Sequence, residues 1–180
     1  MTQLFDGQDL AIKLQRVASD LQDYLKDESA DQLIFVGILT NGVFFAKRIQ
    51  EKLKKMSFDV KDSVMELDIS LYRDDYLAKK DYMSVVTNKN KVFHLDGKHV
   101  VLFDDVLSTA RTARAALNAI FDYGRPKKVS FVVLFDRQNR QVPIEPNVIG
   151  EVLDVDSNLR VNVGFVEVIG EDNVIAAPFT

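Results

Sequence analysis

With 180 residues, 47% of them hydrophobic and 28% charged, the chain is long enough for one domain with a substantial core. The absence of cysteine excludes disulfides and thiol nucleophiles, and a formal net charge of −4 argues against a protein that coats nucleic acid non-specifically. The start MTQLFDGQDL is too polar for a signal peptide and no apolar run approaches a membrane span, so a cytoplasmic location with no membrane partner is expected.

Residues 9–25 place Leu10, Leu14, Val17, Ala18, Leu21 and Leu25 three or four apart, which predicts an amphipathic helix. LIFVGI, residues 33–38, is a continuous apolar run and reads as a buried parallel strand. Thr40-Asn41-Gly42 turns the chain into a second helix over Val43–Lys55, with Phe44, Phe45, Ile49 and Leu53 facing the core. Residues 47–61 are a basic run. From 64 to 71, Met65, Leu67, Ile69 and Leu71 alternate with polar residues, the pattern of a half-exposed strand. Residues 72–98 are charged and Asn-rich with few core positions, and a loop of this length in a compact domain reads as a lid.

The apolar pattern resumes with a strand at 99–103, two acids, a Ser/Thr/Arg loop and a helix over 112–123 closed by Gly124 as its C′ residue. Val129–Phe135 is the next strand and ends in Asp136-Arg137. Strand-like pieces follow at 148–153, 160–168 and 173–177. Strand and helix alternate with no linker or repeat, which predicts a single α/β domain over 1–180 built on a parallel sheet with right-handed crossovers.

The chemistry concentrates in VVLFDDVLSTARTARAAL, residues 100–117. Acids at the C-terminal end of a strand, beside a helix N-terminus, can hold a diol or a metal next to a phosphate. Ser108, Thr109 and Thr112 can donate hydroxyl hydrogen bonds to phosphate oxygens, and Arg111 adds charge. Asp104 and Asp105 repel phosphate, so beside it they suit ribose hydroxyls or the shell of a Mg²⁺ ion. If the strands before Thr40–Gly42, Asp104–Thr112 and Asp136–Arg137 are neighbours, these loops share one crevice. His94 and His99 stand in no metal-ligand spacing.

The blocks VGILTNGVFFAKRI, ELDISLYRDD, LFDDVLSTARTARAAL, DYGRPKKV and VVLFDRQNRQVPI make the sequence resemble, over nearly its whole length, the bifunctional pyrimidine-operon attenuation regulators and uracil phosphoribosyltransferases of the type I phosphoribosyltransferase group. The resemblance implies a parallel sheet flanked by helices, a small hood formed mainly by 150–180 with the N-terminal segment, and a flexible loop within 72–98. It implies transfer of a phosphoribosyl group from 5-phosphoribosyl 1-diphosphate to uracil, giving UMP, with Mg²⁺. It implies that Asp104 and Asp105 hold the ribose hydroxyls, that Ser108, Thr109, Ala110, Arg111 and Thr112 surround the 5′-phosphate, and that Thr40, Asn41 and Gly42 meet the diphosphate. Arg73 stands at the base of the flexible loop, Asp136 and Arg137 on the nucleobase side, and Asn158 to Val161 in the hood that encloses the base.

Two positions depart from the family pattern. Ala110 replaces a glycine, so its methyl group is expected to crowd the phosphate or to oppose a positive φ. Asn41 stands where Arg is common, which implies weaker neutralisation of the leaving diphosphate. Two alternatives stay open: a nucleotide-sensing regulator that binds leader RNA, and a transferase for a purine base. The run 47–61 and Arg140 favour RNA; Glu145 and the net charge oppose it. The apolar residues 43–45 and 64–71 exceed the needs of one small sheet and predict a homodimer.

Overall fold

The computed structural model describes residues 1–61, 63–72 and 94–179. In chain order these form β1 (Thr2–Phe5), α1 (Gly7–Leu25), β2 (Leu33–Ile38), α2 (Asn41–Lys55), β3 (Val64–Leu67), β4 (His99–Leu107), α3 (Arg111–Phe121), β5 (Lys128–Asp136), β6 (Val148–Val152), β7 (Leu159–Gly164), α4 (Val166–Ile169) and β8 (Asn173–Pro178). Arg73 and most of the predicted 72–98 excursion lie outside the described residues.

Five strands make a parallel sheet in the order β3-β2-β4-β5-β6. Alternation along them separates two cores. Leu33, Phe35, Val101, Phe103, Val132 and Leu134 face α1 and α2. Val36, Ile38, Val100, Leu102, Phe131 and Val133 face the alanine-rich side of α3. Both faces are covered, so the strands read as unbroken apolar runs. The helix α1 is fixed at its start by Asp6, whose carboxylate accepts from the Gln8 and Asp9 amides in a capping box.

The outer strands form a second, antiparallel sheet, β1-β8-β7. Phe5 of β1 stacks on Phe135 at 5.6 Å, and Val161, Val163, Phe165 and Val174 join the core shared with α1 and α2. Arg48 of α2 ties the two layers by pairing with both Asp172 and Glu167 over the Phe165 ring.

Several predicted boundaries move. The first strand after the excursion does not end at Phe103 but runs to Leu107, because Asp104 and Val106 keep their ladder partners Val133 and Phe135. The strand predicted over 64–71 stops at Leu67 and gives way to a 3₁₀ turn at Ser70–Tyr72, where the Asp68 carboxylate accepts from the Ser70 amide. Residues 166–169 are helical rather than the end of a strand. The C-cap of α3 is Asp122, so Gly124, at φ +138°, lies one residue beyond C′. Of the residues that argued for a homodimer, Val43, Phe45, Met65, Leu67 and Ile69 are buried and Phe44 packs against the core, whereas Leu71 is 55% exposed.

Opposite the loops that carry the candidate site, a buried polar cluster closes the N-terminal edge of the sheet. His99 Nε2 lies 2.8 Å from Ser130 Oγ, which also meets the Tyr24 hydroxyl at 3.0 Å; Nδ1 lies 3.1 Å from Glu28 Oε1. Burial, aided by Lys128, holds the His99 pKa below its ordinary value. A lowered histidine pKa gives stability that is complete above the unfolded value of about 6.5 and is lost as pH falls below it. Urea midpoints measured between about pH 8 and about pH 5.5 should therefore decline towards acid. His99→Gln should flatten that slope; an unchanged slope would assign it to other groups.

Candidate active site

Because β2, β4 and β5 are consecutive in a parallel sheet, their C-terminal ends share one edge. The three loops singled out in the sequence therefore meet. The helix α2 begins at Asn41, two residues earlier than predicted, and its first turn lies directly on the sheet. A Cβ on Gly42 would stand 2.4 Å from the Phe103 carbonyl oxygen, and one on Gly37 would stand 2.4 Å from Val43 Cα. Only glycine permits this approach at either position. Gly37 went unnoticed in the sequence, where it looks like part of an apolar strand. The peptide Leu39–Thr40 at this corner is cis.

The acid pair lies within β4 rather than beyond it. Asp104 is buried, and its carboxylate accepts from the Asp105 amide at 3.1 Å. Asp105 is half-buried; Oδ1 accepts from the Val106 amide at 2.9 Å and Oδ2 from Asn41 Nδ2 at 2.7 Å. Burial pushes the Asp105 carboxyl above the usual carboxylate range, and the Asn41 hydrogen bond opposes that shift.

Asn41 also donates to the Val163 carbonyl at 3.0 Å, so one amide joins the acid pair to the small sheet. Asn41 is thus a bridge with both donors in use, rather than a place left by a missing cation.

Ser108, Thr109 and Ala110 form the loop after β4, and α3 starts at Arg111. Ala110 has φ +66° and ψ 10°, the left-handed conformation anticipated for this position. Ala110 is 2% exposed, and it packs into the α3 core cluster. Ala110 and Thr40, the N-cap residues of α3 and α2, make no side-chain cap, and neither helix has an acid in its first turn. The N-termini of α2 and α3 lie at the same sheet edge as the two carboxylates, with the Arg111 amide 3.5 Å from Thr109 Oγ1.

The remaining expected residues divide. Arg137 is buried, donates from Nη2 to the Asp156 carbonyl at 3.0 Å, and has no partner for Nε. Burial lowers its pKa. Asp136 is not a free contact group, since Arg140 occupies both its oxygens at 3.0 and 2.7 Å. Asn158 is exposed in the turn before β7, its amide on the Asp156 carboxylate. The Val161 side chain belongs to the core. Thr109 and Thr112 are half-buried, and Arg111 reaches the Gln141 side chain at 3.0 Å. Asn139, Arg140 and Gln141, which back the 108–111 loop, lay in the quoted DRQNRQ block, where no local pattern marks a second layer.

A family model described as phosphoribosyl transferase domain matches residues 1–165, and the chain belongs to that family. Among its relatives are proteins named Bifunctional protein PyrR. The one from Akkermansia muciniphila is 40% identical over 96% of this chain and 93% of its own length. The one from Ligilactobacillus salivarius is 39% identical over 96% of each. Two solved structures share the fold at 17% identity and TM-score 0.70: a hypoxanthine phosphoribosyltransferase of Trypanosoma cruzi, over 99% of this chain and 97% of that one, and an HGPRT-ase of Leishmania tarentolae in complex with GMP, over 98% and 96%. The predicted α/β class and the parallel sheet flanked by helices are borne out.

Removing the bridge should be costly. Asn41→Ala leaves Asp105 Oδ2 and the Val163 carbonyl without a donor, which predicts a loss of about 1–3 kcal/mol in unfolding free energy. Asn41→Arg should give no gain, because a longer side chain cannot keep both bonds. Chemical denaturation of the two variants checks this; full stability in Asn41→Ala would show that the bridge carries no load.

Proposed function

We propose that the protein transfers the phosphoribosyl group of 5-phosphoribosyl 1-diphosphate to uracil, releasing diphosphate and UMP. The observation that carries this reading is the pair of uncapped helix starts flanking Asp104 and Asp105. A donor with phosphate at one end, diphosphate at the other and a diol between matches that order of charges.

The roles follow from position. The 108–112 segment binds the 5′-phosphate through its hydroxyls and the α3 amides. Thr40, Asn41 and Gly42, with the α2 N-terminus, receive the diphosphate. Asp104 and Asp105 hold the ribose hydroxyls, and their charge favours the cationic ring that forms as diphosphate departs. Arg137, whose guanidinium keeps a buried donor in reserve, faces the nucleobase, and Arg73 steadies the diphosphate. The small sheet with residues 152–158 is the hood over the base.

The two carboxylates fit Mg²⁺. They offer hard oxygens, the ligand type of an ion that also keeps water and substrate oxygens. Asp104 and Asp105 would hold it directly or through water, and its charge would stabilise the leaving diphosphate.

A second reading, nucleotide-controlled binding of leader RNA by a cytoplasmic homodimer, is favoured by the relatives' being named bifunctional and by Lys52, Lys54 and Lys55 in the last turn of α2. Against it, Arg140 is engaged by Asp136 and Glu145. No helix among the described residues is long and apolar enough to cross a membrane.

A product assay with the donor, Mg²⁺ and each nucleobase in turn tests the main reading. Uracil should be converted to UMP, chelation of the metal should abolish turnover, and Asp105→Asn should lose most activity while keeping the fold. Conversion of a purine base alone would overturn the choice of base. UMP binding without any turnover would favour the regulator, which salt-dependent binding of leader RNA and a doubled mass in sedimentation would support.

A further inference from the structure

The segment that follows β5 does not run straight to β6. It turns back over the loop that follows β4. The Arg137 amide donates to the Leu107 carbonyl at 2.9 Å, continuing the ladder by one bond. Ser108 Oγ donates to Asn139 Oδ1 at 3.0 Å. The amides of Gln141 and Val142 both donate to the Thr109 carbonyl, at 3.0 and 3.2 Å. Arg111 Nε donates to Gln141 Oε1 at 3.0 Å. Apart from Ala110 itself, each residue from Leu107 to Arg111 is thus held by this one segment.

The segment is locked in turn by an ion pair. Arg140 meets both oxygens of Asp136, which is 1% exposed, and its Nε donates to the Ile144 carbonyl at 2.9 Å. The Gln138 amide donates to the same carboxylate at 2.8 Å, and Gln138 takes a φ of +54° to do so. Val142 and Ile144 pack on the core cluster that holds Leu107 and Ala110.

We infer that residues 137–144 are a strap that holds the 108–111 loop in its binding conformation, with Asp136 and Arg140 as positioning residues, and that the strap is what keeps Ala110 left-handed. A non-glycine residue in that region persists only where its surroundings over-determine it. Here two amides grip the Thr109 carbonyl immediately before Ala110, and the Arg114 amide takes the Ala110 carbonyl after it at 3.0 Å. A glycine would adopt this φ unaided. The strap and Ala110 are therefore coupled: the alanine is tolerated because the strap is present.

The consequence for binding rests on the reading of 108–112 as the phosphate loop, but the strap itself is testable without ligand. Hydrogen exchange of the Ser108–Thr112 amides should quicken roughly tenfold in Arg140→Gln, with β5 and α1 unchanged. Because that variant leaves Asp136 buried and unpaired, Asn139→Ala/Gln141→Ala, which spares the buried pair, should show the same local effect. In turnover, both variants should raise KM for the donor roughly tenfold with kcat nearly unchanged. Adding Ala110→Gly should restore most of that loss. Unaltered exchange in both variants overturns the strap. KM penalties that are equal with and without the Ala110→Gly change overturn the coupling. If the unaltered protein transfers no phosphoribosyl group, the proposed function fails while the exchange result still decides the strap.

Discussion

The arrangement depends first on one close contact, that of Gly42 with the Phe103 carbonyl. It sets the start of α2 against β4 with no room for a methyl group. The contact brings Asn41 within 2.7 Å of Asp105 and, through the same amide, within 3.0 Å of Val163 in the small sheet. A helix set further out would leave the carboxylates facing solvent, where their mutual repulsion would be screened but their proposed hold on a sugar would be lost.

That placement has a thermodynamic sign. Burial raises the Asp105 pKa, so the ionised carboxylate costs stability near neutral pH, and its contribution improves only as the group protonates at lower pH. The Asn41 hydrogen bond, the Val106 amide and the two helix dipoles reduce the cost without removing it. A pair of carboxylates kept in this state is more readily explained by the ligand it receives than by the fold it supports. The His99 cluster at the opposite edge of the sheet contrasts with it, since there Ser130 Oγ links the ring Nε2 to the Tyr24 hydroxyl and the partners all come from the chain itself.

Much of this was legible in the sequence, for a physical reason. Strands buried on both faces announce themselves as apolar runs, so β2 falls on LIFVGI residue for residue. The six apolar positions predicted for α1 are its six buried positions. What was not legible was set by the neighbouring chain. The last four residues of β4 look polar or mixed, and they are strand because β5 offers them partners. Asn41 and Gly42 look like a turn, and they are helix because Phe103 and Asp105 receive them. Arg140 and Asp136 are four residues apart outside any helix, a spacing that predicts no contact until the strap folds back.

The two departures from the family pattern are explained in the same way. Read alone, Ala110 and Asn41 are defects: a methyl group where glycine belongs, and an amide where a cation belongs. In the structure the methyl group fills core volume on the α3 side, and its removal would forfeit about 0.8 kcal/mol of burial against about 1–2 kcal/mol of left-handed strain relieved. About 0.2–1.2 kcal/mol of net strain is left, and it is this remainder that the strap has to hold. Asn41 gives up a long-range charge for two short, directed hydrogen bonds. In the proposed reading, with no cation from Asn41, attraction for the diphosphate would fall to the backbone amides and dipole of α2, whose distance from the sheet is fixed by Gly37 and Gly42. The loss of one charge is thus tied to the precision of one helix start, and the two glycines become as much a part of the proposed diphosphate site as any polar side chain.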